Sequence, residues 1–261
     1  MWARVIESAR LRRLIDVITV LTEKDFKLRY RNSVLGFLWS LLNPLAYMVI
    51  LTVVFGVLFR VNVPDYAAWV LTAILIWRFF SVGTSQGLDS ITSNQQLVTK
   101  TQVPRYVIVL SNSIANLIGA TLEFIVLFPL LILLGIRLTA YILLLPGILI
   151  LEFLLVFAVS LSLSSLAVKY RDFYQLWDII LQLGFYMSPI VYSQDLIPAR
   201  FQFAYSLNPV TRLIESTRGI FLLAGTPSRF DLIVITGIIG IFLLSGFVVF
   251  RAREWHFAEE L

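Results

Sequence analysis

The sequence predicts an all-α integral membrane protein: six transmembrane helices, an N-terminal amphipathic interface helix, and short outer gate helices between spans five and six. Three observations predict it. Of the 261 residues, 59% are hydrophobic and only 14% charged, with mean hydropathy +0.86; a soluble domain carries about 25% charged residues. The apolar residues fall in runs near the roughly 20 residues a helix needs to cross the hydrocarbon core. Lys and Arg gather on one set of flanks of those runs, which sets orientation.

The chain reads as a single transmembrane domain, residues 1–261. Residues 8–31 form the interface helix. Leu11, Leu14, Ile15, Ile18 and Leu21 recur at helical spacing, while Arg12, Arg13, Asp16, Thr19 and Glu23 take the other side. A basic cluster, DFKLRYR, closes it. The spans are 38–59, with Pro44 inside it, then 67–87, 106–134, 141–168, 173–192 and 232–250. Residues 88–105 form a polar break between the second and third spans. The fifth run breaks at Ser188-Pro189 and passes into an outer gate segment, 193–229, with prolines at Pro198 and Pro209. Proline lacks an N–H and clashes with the preceding turn. Broken helices at membrane depth are tolerated where protein or a water-filled cavity surrounds them, so this segment is the expected mouth of a translocation path, with Pro189, Pro198, Asn208 and Pro209 as its gate residues.

The flanks carrying Arg4, Arg10, Arg12, Arg13, Lys24, Lys27, Arg29, Arg31, Lys100, Arg105, Lys169, Arg171, Arg251 and Arg253 are predicted to be cytoplasmic. The opposite flanks hold Arg60, Arg137, Arg200, Arg212, Arg218 and Arg229. Both termini are then inside, in agreement with an even number of spans. The net charge of +5 belongs to this asymmetry and points to membrane lipid, with no nucleic acid as partner.

Several chemistries are excluded. With no cysteine there is no disulfide or thiolate. The one histidine, His256, assembles no metal site or nucleophile–base pair. No G-x-x-x-x-G-K-[ST] occurs, so no phosphate-cradling loop binds ATP in this chain. The expectation is a transport subunit driven by a separate motor, with no cofactor and no metal of its own. The motor is expected to push on Asp89, Ser90, Asn94, Gln95, Gln96 and Lys100 in the polar break. Arg78, Glu123 and Glu152 fall inside the second, third and fourth spans at a common depth near the bilayer middle. An unpaired charge there costs about 2.5–3.5 kcal/mol, so Arg78 is expected to pair with Glu123 or Glu152, Glu123 being on the consecutive span.

Four motifs carry a resemblance: DFKLRYRNSVLGFLWSLLNPL (25–45), KYRDF (169–173), FYMSPIVY (185–192) and SLNPVTRLIESTRGIFL (206–222). In this order, across essentially the whole chain, they resemble type-2 ABC export permeases, in particular the branch that exports lipid-linked polysaccharides such as O-antigen, capsule and teichoic acid. The resemblance implies a homodimer with two copies of a cytoplasmic ABC ATPase that binds ATP and Mg. It also implies a lipid-linked glycan as substrate and the cytoplasmic (inner) membrane of a bacterium or archaeon as location. Residues 88–105 are then a coupling helix, and the glycan passes between the two subunits. Sugars stack apolar faces on aromatic rings, which makes Phe37, Tyr47, Phe55, Phe185, Tyr186 and Tyr192 the path candidates. The rival readings are a type-2 permease for a drug or small lipid, and a membrane-embedded lipid-modifying enzyme. The spans hold no clustered polar catalytic set for the latter.

Overall fold

The computed structural model describes residues 2–30, 36–101 and 103–260. The described chain is helical throughout. Helix α1 is Trp2–Tyr30; Arg31, the last residue of the expected interface helix, lies outside the described residues. Helix α2, Leu38–Leu51, contains Pro44 and continues as a π-helical stretch, Thr52–Leu58. Helix α3 is Tyr66–Asp89. A 3-10 turn, Thr92–Asn94, leads into the short α4, Gln95–Lys100. Helix α5 is Tyr106–Leu133, α6 is Leu145–Lys169 and α7 is Phe173–Met187. Helices α8, Ala199–Ser206, and α9, Pro209–Phe221, make up the outer segment. Helix α10, Arg229–Arg253, and the terminal turn α11, Phe257–Glu260, close the chain.

Among the described residues, five helical stretches are long and apolar enough to cross a membrane: Leu38–Leu58, Tyr66–Asp89, Tyr106–Leu133, Ala140–Lys169 and Arg229–His256. The remaining expected span, 173–192, is α7 followed by an irregular stretch. Its 15 helical residues reach about 22 Å at 1.5 Å per residue, short of a core about 30 Å thick. Ser188 takes an extended conformation and ends the helix.

Helices α3 and α6 form the interior. Val70, Leu71, Ala73 and Ile76 of α3 are fully enclosed, as are Val156, Ala158 and Leu161 of α6. Small residues let the backbones close up, as helix packing in lipid requires. A Cβ on Gly87 would sit 2.4 Å from Ser160 Cβ, and one on Gly246 of α10 would sit 2.5 Å from the Ala158 carbonyl oxygen. By contrast α2, α7 and α10 show large apolar side chains outward, among them Val49, Ile50, Ile179, Leu183, Ile241 and Leu244. Such faces suit lipid or another subunit.

A second apolar cluster ties one end of the bundle together: Leu21 of α1, Ile91 and Val98 of the polar break, Val107 and Ile108 of α5, Phe250 of α10 and Phe257 of α11. Helix α1 therefore docks through Leu14, Val17, Ile18 and Leu21. Leu11 and Ile15, expected on the same face, remain exposed, because the contact follows a stripe rotated toward Val17.

Candidate functional site

Helix α3 passes through all the regions singled out in the sequence. At its N-terminal end Tyr66 donates a hydrogen bond of 2.8 Å to the Val191 carbonyl. Arg218 of α9 is 2% exposed. It stacks with its guanidinium 3.3 Å from the Trp69 ring centroid and donates to the carbonyls of Trp69, at 3.3 Å, and Ile190, at 3.2 Å. It also pairs with Glu215 at 2.6 Å. Burial pulls the Arg218 guanidinium down to about 10, a shift that Glu215 opposes. The residues expected at the gate sit around these contacts. Pro189 is buried beside Ile190, and Pro198 is exposed at the start of α8. Asn208 caps α9 by accepting from the Val210 N–H at 3.0 Å, and its amide donates to Ser188 Oγ at 3.3 Å. Pro209 takes the first position of α9, where a missing N–H does no harm.

Midway along α3, Arg78 Nε lies 3.2 Å from Glu123 Oε2. Glu152 does not join them: it is fully buried in α6, and neither carboxylate oxygen has a hydrogen-bond partner. The expected three-residue cluster is thus a pair plus a separate carboxyl. A cavity of about 700 Å³ opens beside the pair, lined by Arg29, Trp39, Asn43, Arg78, Gln86 and Asn116 among others. On the other side of Arg78, a groove of about 410 Å³ runs between α2, α3 and α7, with Tyr47, Trp77, Gln182, Phe185 and Tyr186 in its walls. Asn43, Arg78 and Val82 line both spaces.

The aromatic candidates divide accordingly. Tyr47, 51% exposed, and Tyr186, 70% exposed, line the groove with Phe185, which packs edge-on against Trp77 and Tyr186. Tyr192 lies apart, its hydroxyl donating to the Tyr186 carbonyl and sharing a hydrogen bond with the Tyr205 hydroxyl. Phe55 stacks on Phe59 in the π-helical stretch, and Phe37 is half-buried ahead of α2; neither reaches the groove. Gly184 lets α7 close on α3, since a Cβ there would stand 2.8 Å from the Trp77 ring.

At the C-terminal end of α3 the polar candidates split by exposure. Ser90 is buried, bonding back to the Gly87 carbonyl at 2.6 Å. Asn94 is half-buried, donating to the Ser90 carbonyl at 2.8 Å and accepting from Lys24. Asp89, Gln95, Gln96 and Lys100 are exposed. Asp89 accepts from Thr92 at 2.9 Å and from Tyr174 at 3.0 Å. The segment therefore presents a polar outer face while Ile91 and Val98 anchor its inner one. Sequence periodicity missed the roles of Arg29, Tyr66, Trp69 and Arg218; the sole sequence signal was that each is polar or amphipathic beside an apolar run.

A family model described as ABC-2 type transporter matches residues 16–222. The chain belongs to this family. Within it, the chain is similar to an O-antigen export system permease protein, RfbA, of Klebsiella pneumoniae, 34% identical over 252 residues that cover 95% of this chain and 96% of the relative. The RfbA permease of Myxococcus xanthus is 28% identical over 247 residues, 92% of this chain and 94% of that protein. The polysialic acid transport protein KpsM of Escherichia coli is 22% identical over 238 residues, 88% and 91% of the two chains. Membership of the ABC-2 type transporters makes this chain a transport subunit.

Proposed function

We propose that the chain is the transmembrane subunit of an ATP-driven exporter that moves a lipid-linked polysaccharide across the cytoplasmic membrane. The observation that carries this is the nearly end-to-end match to a permease of O-antigen export. Two copies are proposed to pair with two copies of a cytoplasmic ABC ATPase, which binds ATP and Mg; this chain contributes no cofactor. Both termini and the α3–α5 connection lie on the ATPase side. The exposed Asp89, Gln95, Gln96 and Lys100 support a docking face there, set on the apolar anchor of Ile91 and Val98. Motion of that connection reaches the outer segment through α3, whose far end holds Val191 through Tyr66 and carries, on Trp69, the Arg218 that holds Ile190. The wide α2 and α7 faces, too open for one subunit to enclose a polymer, suit a two-fold pair lining a path between them.

Depletion of this subunit in its host tests the reading. A lipid-linked glycan is expected to accumulate on the cytoplasmic side and to clear when the subunit is restored. Unchanged glycan at the cell surface would remove the proposal in favour of a drug or small-lipid exporter.

A further inference from the structure

A further space lies apart from α2 and from the aromatic groove. It is a cleft of about 400 Å³ between the Gln194–Leu196 turn, α8, α9 and the first turn of α10, within the roughly 300–1,000 Å³ typical of ligand sites. Three carboxylates line it, Asp195, Glu215 and Asp231, against one guanidinium, Arg212. Each carboxylate has one oxygen engaged. Asp195 Oδ2 accepts from Ser193 at 3.0 Å, Glu215 Oε1 from Arg218 at 2.6 Å, and Asp231 Oδ1 from Arg212. Among the described residues nothing donates to the other oxygen of any of the three. All three side chains still reach solvent, Glu215 and Asp231 being 38% and 40% exposed. Arg212 is committed: its Nε donates to the Ser206 carbonyl at 2.5 Å and its Nη1 to Asp231. Two amides stand at the rim. Gln202 makes one long bond, 3.4 Å to the Ile197 carbonyl, and its Oε1 accepts nothing; Gln194 is exposed beside it. The floor is polar as well, since Thr211 lines it and its Oγ1 has no hydrogen-bond partner. One wall is apolar. Phe230 is 68% exposed, with the Arg212 guanidinium 5.9 Å from its ring centroid.

These groups select the chemistry of an occupant. An ionised carboxylate only accepts hydrogen bonds, so the occupant brings donors. Three carboxylates against one guanidinium disfavour phosphate and acidic groups. Among the described residues no three acidic or histidine side chains stand close enough to hold a metal ion, so a bare cation is poorly served. A sugar ring meets every condition: its C–H face lies on Phe230, and its hydroxyls donate to Asp195, Glu215 and Asp231 through charge-assisted bonds. We propose that this cleft binds an uncharged sugar unit of a glycan, with Phe230 as the platform and Asp195, Gln202, Glu215 and Asp231 as the hydroxyl partners. The site lies at the end of α3 that carries Trp69 and Arg218, away from α4. The proposal rests on the export reading in so far as the glycan is the transported one. It adds to that reading a recognition site on α8–α10 and a charge class, neutral over acidic.

The full-length protein with its ATPase, in lipid nanodiscs, is titrated with short oligosaccharides cut from the surface glycan of its host. Parallel titrations use the same oligosaccharides after oxidation of their primary hydroxyls to carboxylates, and spermidine as a cationic probe; binding is read by saturation-transfer NMR. The unoxidised oligosaccharides are expected to bind about tenfold or more tightly than the oxidised ones. Phe230→Ala and Gln202→Ala should each weaken that binding, together by about tenfold. Asp195→Asn, which removes one negative charge, should narrow the gap between the neutral and oxidised forms. All three side chains are exposed, and unchanged unfolding midpoints separate lost binding from lost fold. Binding untouched by the Phe230 and Gln202 variants overturns the site. Equal or tighter binding of the oxidised form, or a host glycan that is itself acidic and binds through these residues, overturns the charge class. Spermidine that competes at lower concentration than the sugar overturns the sugar assignment. If depletion leaves the surface glycan intact while Phe230-dependent binding persists, the export reading fails and the site stands; the opposite pattern fails the site alone.

Discussion

Arg218 near the N-terminal end of α3 and Arg29 near its C-terminal end are both arginines packed against that helix, and they are used in opposite ways. Arg218 has its donors on two carbonyls and a carboxylate and its flat face on Trp69. Each of its three nitrogens donates at least once, and burial keeps the side chain from any ligand. Among the described residues Arg29 donates to two amide oxygens, leaves its Nε without a hydrogen-bond partner, and lines a cavity. One guanidinium fastens buried segments together; the other keeps donor capacity beside a cavity. The difference lies in what surrounds each side chain, since the residue type is the same.

The comparison breaks most visibly at Arg218. Arg218→Ala strips partners from two buried carbonyls and leaves Glu215 alone, so a loss of about 3 kcal/mol is expected, read as a lowered unfolding midpoint and faster proteolysis of residues 188–228. Arg218→Lys keeps the charge but not the fork and should recover less than half of that loss. Arg29→Ala, tested alongside, is expected to cost no more than about 1 kcal/mol, since it frees only amides that water in the cavity can reach. Equal losses at the two positions would erase the distinction.

The Arg78–Glu123 pair stands between these extremes, half-buried and shared between the cavity and a helix contact. Polar pairs inside membranes average about 0.6 kcal/mol by double-mutant cycles. Arg78→Ala and Glu123→Ala together should therefore cost about 1 kcal/mol less than the sum of the single losses. Strict additivity in thermal unfolding would show that the pair contributes nothing. The same cycle with Glu152→Ala is expected to be additive, because Glu152 has no partner in reach among the described residues.

The helical class, the membrane character and the family were legible because each is written in features that survive without coordinates: run lengths, proline breaks such as Ser188-Pro189, and motif order. The partners were not. Successive helical residues turn by about 100°, so hydropathy reports that a residue is near an apolar run and not which neighbour it faces. Arg29 read as one member of the basic cluster 25–31, and Arg218 as one outer arginine among six. Ser90 and Asn94 read as motor-facing because they are polar, yet the rotation of the α3–α4 connection turns them inward. Glu152 read as part of a charge cluster because depth along a span is countable and azimuth is not.

The smallest expected effect sharpens the Arg29 side of the comparison. Asp25 sits one turn before Arg29 with its side chain 14% exposed, beside Lys24. Burial raises its carboxyl above the usual range, an effect that Lys24, the Asn112 amide and Arg29 oppose without reversing. The sign follows from linkage. A carboxyl whose folded pKa is raised contributes stability that is fully present below its unfolded pKa and lost as pH rises through the folded value. Wherever the folded protein holds Asp25 ionised, it does so at some expense. Asp25→Asn keeps the shape and the acceptor oxygen while removing the charge. It should leave stability unchanged in mild acid and raise it by about 0.5 kcal/mol near neutrality, so that the gap between variant and parent widens with pH. Unfolding midpoints measured from about pH 4 to about pH 8 would track that gap. A parent that instead gains on the variant as pH rises would mean that Lys24 and Arg29 outweigh burial. Arg29 would then count as paired with Asp25, and its contrast with Arg218 would narrow.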